Sequence, residues 1–256
     1  MSIASLFEVS GKVALVTGGS SGIGEMIATT LARAGVTVFI AARKPDRLAE
    51  ALARIAAHGT VEAIPADLAD PNGADRLAGE LGERTGQLDI LVNNAGATWG
   101  APFGEFPASG WDRVMDLNAR ATFLLSQSLM PLLAKSADED DWSSVINVSS
   151  VASRYTDDTP SAAYGPSKAA VEQLTRVMAR WLPNHRIRVN CIAPGWFPSR
   201  MNAPIGDDYR AAWLDRTPLK RFGRAEDIGA LAIYLASRAS SFVNGQVIAI
   251  DGGWSA

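Results

Sequence analysis

A chain of 256 residues, 47% hydrophobic and 20% charged, has the composition of an ordinary globular protein and is long enough to bury one large α/β core. Its formal net charge of −3 offers no general attraction to nucleic acid or to anionic membranes, which leaves small molecules and other subunits as the expected partners. A single cysteine, Cys191, excludes an intramolecular disulfide framework. With only His58 and His185 there is no Cys/His cluster of zinc spacing, and no metal is expected. The opening MSIASLFEVSGK has no basic n-region or long apolar stretch, and nowhere do about 18 apolar residues run together, so no membrane span and a cytoplasmic location are expected.

Along the chain, short apolar runs alternate with longer amphipathic ones. Residues 13–17, 36–41, 61–66, 88–93, 144–149, 187–193 and 246–251 read as strands, and their near-continuous Val/Ile/Leu character indicates burial on both faces. The segments between them carry helix punctuation: residues 24–35 close on Gly35, and residues 45–59 open with Pro45 and close on Gly59. This rhythm predicts an α/β fold of the doubly wound Rossmann type, a seven-stranded parallel sheet with helices on both faces, in a single domain over residues 1–256. The acidic SADEDDW at 136–142 reads as a solvated loop. Residues 196–223 break the rhythm and are the candidate substrate loop, a mobile segment over a site.

Directly after the first strand, TGGSSGIG places Gly18, Gly22 and Gly24 at the start of a helix. There, glycines let backbone approach a pyrophosphate that the helix N-terminus attracts, although three such glycines could equally make a plain tight turn. The second strand ends in FIAARKPD, with Ala42 where an acid would bind a ribose 2′-hydroxyl and mark NAD. Arg43 follows and can clasp a 2′-phosphate, which favours NADP(H) over NAD(H) unless it is simply a surface arginine. Ser20 and Ser21 could add hydroxyl donors to the same phosphate.

Beyond the fourth strand, NNAG (93–96) suits a turn on which a flat adenosine could lie. The fifth strand ends in NVSS, presenting Ser149 and Ser150 at the carboxyl edge. Neither serine sits in a G-x-S-x-G context with a histidine, so hydrolase chemistry is poorly supported. In SAAYGPSKAA, Tyr164 and Lys168 stand four apart, about 6 Å along one helix face. An ammonium there would lower a phenol pKa from about 10 and make tyrosine a usable acid/base. The same spacing also occurs in ordinary amphipathic helices. Pro166 between them fixes this point within the first helical turn.

TGGSSGIG, NNAG, NVSS, YGPSK and the later APG occur in an order and spacing that resembles the short-chain dehydrogenase/reductase family, from about Gly11 to Gly253. The resemblance implies a catalytic tetrad of Asn118, Ser150, Tyr164 and Lys168, with Ser149 the alternative serine and residues 153–160 a loop insertion. It implies cofactor contacts from Gly18, Ser20, Ser21, Gly22, Ile23 and Gly24, from Arg43, Asp67 and Leu68, and from Asn94, Ala95 and Gly96. Tyr164 and Lys168 are expected at the nicotinamide ribose, with Pro194, Gly195, Phe197 and Ser199 around the nicotinamide; Asn118 would hold a water linking Lys168 to solvent. The closing strand resembles one that helps form homotetramers. Within the family the motifs look most like NADPH-dependent β-ketoacyl reductases. The alternatives are an alcohol, polyol or steroid dehydrogenase, or a dinucleotide-sensing protein without catalysis. Trp99, Phe103, Tyr155, Trp196, Met201 and Trp213 either border the cleft or belong to core and interface.

Overall fold

In a computed structural model of the chain, the described residues are 2–156, 159–199 and 206–256. The strands are β1 (Val13–Thr17), β2 (Thr37–Ala42), β3 (Val61–Pro65), β4 (Ile90–Asn93), β5 (Ser143–Val148), β6 (Ile187–Pro194) and β7 (Val247–Ile250). They form one seven-stranded sheet in the order β3-β2-β1-β4-β5-β6-β7, parallel throughout. The helices are α1 (Ile3–Leu6), α2 (Gly22–Arg33), α3 (Pro45–Ala56), α4 (Gly73–Arg84), α5 (Ala108–Met115), α6 (Ala121–Ser136), α7 (Tyr164–Trp181), α8 (Asp207–Arg216) and α9 (Ala225–Ala236).

The central strands β4, β5 and β6 are buried along their whole length, their polar Ser143, Ser144, Asn147, Arg188 and Asn190 included, whereas the edge strands β3 and β7 keep partly exposed positions. Each face of the sheet has its own apolar layer. Ile27, Leu31, Leu48, Ile55 and Leu235 pack α2, α3 and α9 on one side; Leu77, Leu81, Leu125, Leu129 and Leu133 pack α4 and α6 on the other. Each such side chain contributes about 1.5–3 kcal/mol on burial, so the sheet's position is set by these two layers rather than by loops. Two buried amides tie the central strands across: Asn93 Nδ2 donates to Asn147 Oδ1 (2.9 Å), and Asn147 Nδ2 donates to Thr175 Oγ1 on α7 (2.9 Å).

The strand order reverses between β1 and β4, where successive connections leave toward opposite edges and open a crevice at the carboxyl ends. The helix after β5 and the turn after β1 therefore meet over the same edge. Among the described residues no helix is long and apolar enough to cross a membrane, and no three His, Cys, Asp or Glu side chains converge as a metal site.

Candidate active site

The crevice begins where β1 ends. The Thr17 hydroxyl donates to the Val92 carbonyl (3.2 Å) and accepts the N–H groups of Asn94 and Ala95 (both 3.0 Å), while Asn94 Nδ2 donates to the Thr17 carbonyl (2.9 Å). This clamp brings the glycine turn so close to Asn94 that side chains have no room. A Cβ on Gly18 would stand 2.7 Å from Asn94 Nδ2, and one on Gly24 would stand 2.4 Å from the same nitrogen. Gly18 also has φ +66°, a conformation other residues adopt at a cost. α2 starts at Gly22 with Ser21 as its N-cap, and no side chain caps it. Its first N–H groups, beside Ser20, Ser21 and Ile23 on the cleft wall, suit a pyrophosphate.

The cleft holds about 420 Å³, and at its far end stand Arg43, Lys44 and Arg47, with Asp67 and Leu68 opposite. Arg43 Nη1 lies 4.0 Å from Asp67 Oδ2, and both side chains are about half exposed. Such a loose, solvated pair holds little energy and leaves the guanidinium able to turn to a phosphate. Asp67 is shaped by the Ala69 N–H, which donates to its Oδ1 (3.0 Å). The glycine cradle, the uncapped helix start and the three cations fit a dinucleotide carrying a 2′-phosphate. Sequence reasoning took up Arg43 and missed Lys44 and Arg47, although Arg47 is four residues from Arg43 and Pro45 at the helix start was visible.

At the other end α7 delivers Tyr164 and Lys168, with Pro166 inside the first turn as its missing N–H allows. Lys168 is buried; its Nζ donates to the Val148 carbonyl (2.9 Å) and lies 5.8 Å from the centre of the Tyr164 ring. The Ser150 hydroxyl accepts the Ala152 N–H (3.2 Å) and lies close enough to the Tyr164 phenol to favour its ionised form. The Ser149 hydroxyl, in contrast, shares its one proton between the Lys168 carbonyl (3.0 Å) and Glu172 Oε1 (3.3 Å), both on α7, although Ser149 itself lines the cleft. The two adjacent serines thus have different destinations, and only Ser150 stands beside the phenol.

Electrostatics here differ from the expectation that Lys168 would lower the Tyr164 pKa. Burial raises it, and the hydrogen bond from Ser150 opposes that only in part. Burial likewise lowers Lys168 to about 8. The physical reason is that both groups share one desolvated place, and the ammonium sits over the ring, tied to a carbonyl, rather than at the phenol oxygen.

Asn118 lies in a π-helical turn, Asp116–Arg120, between α5 and α6. Its side-chain amide is committed to protein partners. Its Oδ1 accepts the Ala97 N–H (2.8 Å), and its Nδ2 donates to the Ala97 carbonyl (3.0 Å) and to Ser167 Oγ (2.9 Å). It joins the exit of β4 to α7. A Cβ on Gly96 would come within 3.2 Å of Asn118 Oδ1 and 3.5 Å of Lys168 Nζ, so Gly96 is where these two groups converge.

Other expected contacts are not brought to the cleft wall. Ser199 lines it, near Gly22, but Pro194 and Gly195 do not, and Phe197 is buried against Gly223. Phe197 lines a second cavity of about 380 Å³ together with Trp196, Trp213 and Leu219. Trp213 stacks on Trp254 with ring centres 4.3 Å apart, and Tyr155 Oη donates to the Ser255 carbonyl (2.5 Å). Trp99 lies under Arg113, which does reach the cleft, and Phe103 is 91% exposed. Met201, and with it residues 200–205 of the expected substrate loop, lie outside the described residues.

Comparison with known proteins agrees with this geometry. Residues 18–255 match the family model described as Enoyl-(Acyl carrier protein) reductase. The chain is 49% identical over 250 residues to the rhamnolipids biosynthesis 3-oxoacyl-[acyl-carrier-protein] reductase of Pseudomonas aeruginosa, covering 97% of this chain and 98% of that protein. It is 37% identical over 251 residues to the 5-keto-D-gluconate 5-reductase of Escherichia coli, covering 97% of each. A solved structure, the Pseudomonas aeruginosa RhlG/NADP active-site complex, superposes with a TM-score of 0.95 at 48% identity, over 98% of this chain and 99% of that one.

Proposed function

The chain belongs to the short-chain dehydrogenase/reductase family, and on that premise we propose that it is an NADP(H)-dependent oxidoreductase that reduces the ketone of a 3-oxoacyl thioester to a secondary alcohol. The observation that carries this reading is the meeting of Ser150, Tyr164 and Lys168 at one end of a cleft whose other end carries Arg43, Lys44 and Arg47.

Bound NADPH supplies the hydride at its nicotinamide, and the protein supplies position and protons. Arg43, Lys44 and Arg47 would hold the 2′-phosphate, the α2 N-terminus the pyrophosphate, and Lys168 the ribose hydroxyls near the reacting end. Ser150 and Tyr164, neighbours whose hydroxyls influence each other, offer two hydroxyl donors to a substrate carbonyl oxygen. Negative charge develops on that oxygen during reduction, so donors held there beforehand favour the transition state. Tyr164 then gives its proton to the oxygen. Its raised pKa does not prevent this, because an alkoxide is a much stronger base than a phenolate. Lys168, mostly charged at neutral pH, stabilises the phenolate left behind. Asn118 keeps α7 and the NNAG turn in register through Ser167 and Ala97.

A second reading, a sugar-acid or other alcohol dehydrogenase, uses the same residues and is favoured by the likeness to the gluconate enzyme. The higher identity to the 3-oxoacyl reductase favours the thioester. A panel of 3-oxoacyl thioesters, varied in acyl length and carrier, against keto-sugar acids with NADPH decides between them. A silent sensor is disfavoured by four intact tetrad positions.

We further place the protein in the cytoplasm as a homotetramer with one domain per chain, supported by its single buried Cys191 and by apolar side chains left in water: Phe123 on α6, Val177 and Trp181 on α7, and Phe242 before the edge strand β7. Sedimentation velocity should give a four-chain species; a monomer, or recovery of the protein outside the cytoplasm, contradicts this.

Replacing Tyr164→Phe should lower kcat by about 10²–10⁴ with NADPH affinity nearly intact, measured by turnover and by fluorescence titration; near-normal turnover sinks the assignment. Arg43→Ala removes charge-assisted hydrogen bonds worth about 1.5–3 kcal/mol, so NADPH should bind about ten- to a hundredfold more weakly while NADH changes little. Equal losses for both cofactors would remove the 2′-phosphate role. For reduction, kcat/KM should be level at lower pH and fall as pH rises through about 8, where Lys168 loses its proton. A profile rising through that range contradicts the role of the ammonium.

A further inference from the structure

Glu172 stands one turn beyond Lys168 on α7, is 4% exposed, and takes no part in the steps above. Its carboxylate accepts hydrogen bonds from Ser149 Oγ (3.3 Å), Ser153 Oγ (2.5 Å) and Arg154 Nε (3.1 Å), with Arg176 Nη2 of its own helix at 3.9 Å. From β6 it faces Cys191, whose thiol burial and this carboxylate together push up to about 12. A carboxylate buried this deeply loses its hydration and persists only because these donors replace it.

The donors are not scattered. Ser149 and Ser153 bracket Ser150. The Ser149 N–H is held by the Ile192 carbonyl (2.8 Å), and the Ser153 N–H donates to the Ser150 carbonyl (3.0 Å), which shares the single proton of the Ser153 hydroxyl (2.7 Å) with Glu172. The short turn that presents the Ser150 hydroxyl is therefore fastened on both sides to one carboxylate, and that carboxylate hangs from the helix that carries Tyr164 and Lys168.

We propose that Glu172 is a positioning residue: by clamping Ser149 and Ser153 to α7, it fixes the Ser150 hydroxyl against the Tyr164 phenol. The proposal rests on the reductase reading above, and one arm of its test needs no turnover. Two donors to a developing oxyanion must keep their spacing closely, since small misplacements cost large factors in rate.

Glu172→Gln keeps the side chain's size and removes its charge. Ser153→Ala removes one end of the clamp, leaves the buried carboxylate in place, and serves if Glu172→Gln does not fold. Both should lower kcat, Glu172→Gln by about tenfold, with NADPH affinity and the carbonyl KM within about twofold of the parent. Ser153→Ala should add nothing in the Glu172→Gln background.

The second readout is the ionisation of Tyr164 at alkaline pH, taken as the absorbance difference between each protein and its Tyr164→Phe counterpart. Loosening Ser150 weakens a hydrogen bond that favours phenolate and moves the titration to higher pH. Removal of a negative charge alone would move it lower. An upward shift in both variants with reduced kcat supports the clamp. A downward or absent shift overturns it whatever the turnover, and so does kcat equal to the parent's, or NADPH affinity falling in step with kcat. A parent protein that reduces no carbonyl refutes the reductase reading instead, and the titration alone then decides the clamp.

Discussion

The hydroxyl of Thr17 is the interaction on which the site depends. At the reversal of strand order, β1 and β4 stop pairing and their chains part, leaving backbone groups that nothing in the sheet can satisfy. Thr17 satisfies three of them, giving its proton to Val92 and receiving the N–H groups of Asn94 and Ala95. Because it does so from the end of β1, the turn after β1 and the turn after β4 are drawn together, and Asn94 is pressed against Gly18 and Gly24. The absence of side chains there is a consequence of that closeness. The same closeness leaves the first turn of α2 bare toward the cleft.

Toward the reacting end, desolvation outweighs the local charges. Tyr164 and Lys168 are both pushed toward their neutral forms, one upward and one downward. In water the pair would differ little from its reference values, so the shifts measure how dry the place is. A dry phenol is a reluctant acid, and that is useful: it withholds its proton from water and yields it to a nascent alkoxide. An ammonium with a pKa of about 8 keeps its charge at neutral pH yet remains able to lose a proton, which a fully solvated lysine would not readily do.

How far this was legible in the chain varied with the kind of feature. The strands and the doubly wound class followed from apolar runs alternating with amphipathic segments, and Pro166 marked the start of α7 as expected. The glycine turn and the Tyr164–Lys168 pair followed from spacing. Side-chain destinations did not. Ser149 and Ser150 are identical neighbours, yet the Ser149 hydroxyl is tied to α7 through Lys168 and Glu172, and Ser150 acts on the phenol. DLNAR contains no helix breaker, so nothing in it announces the π turn at Asn118. Phe197 follows a P-G pair like any loop aromatic, yet the bare surface of Gly223 takes its ring. Glu172 reads as a polar position on an amphipathic helix until the turn after β5 is folded over it.

The segment that follows β6 is held by forces of another kind. Helix α8 buries none of its residues completely. Its attachments are ring contacts: Trp213 stacked on Trp254, the Arg216 guanidinium 4.2 Å over the same indole, and Tyr209 near Trp196. Such contacts are worth about 0.5–1.5 kcal/mol each beyond area burial and tolerate sliding, whereas hydrogen bonds to a buried carboxylate do not. The chain's last residues join both systems, because Trp254 supports α8 while Ser255 accepts the hydroxyl of Tyr155, five residues beyond Ser150. The strands and α7 therefore form a hydrogen-bonded frame, and an aromatic layer held by looser contacts is laid over it.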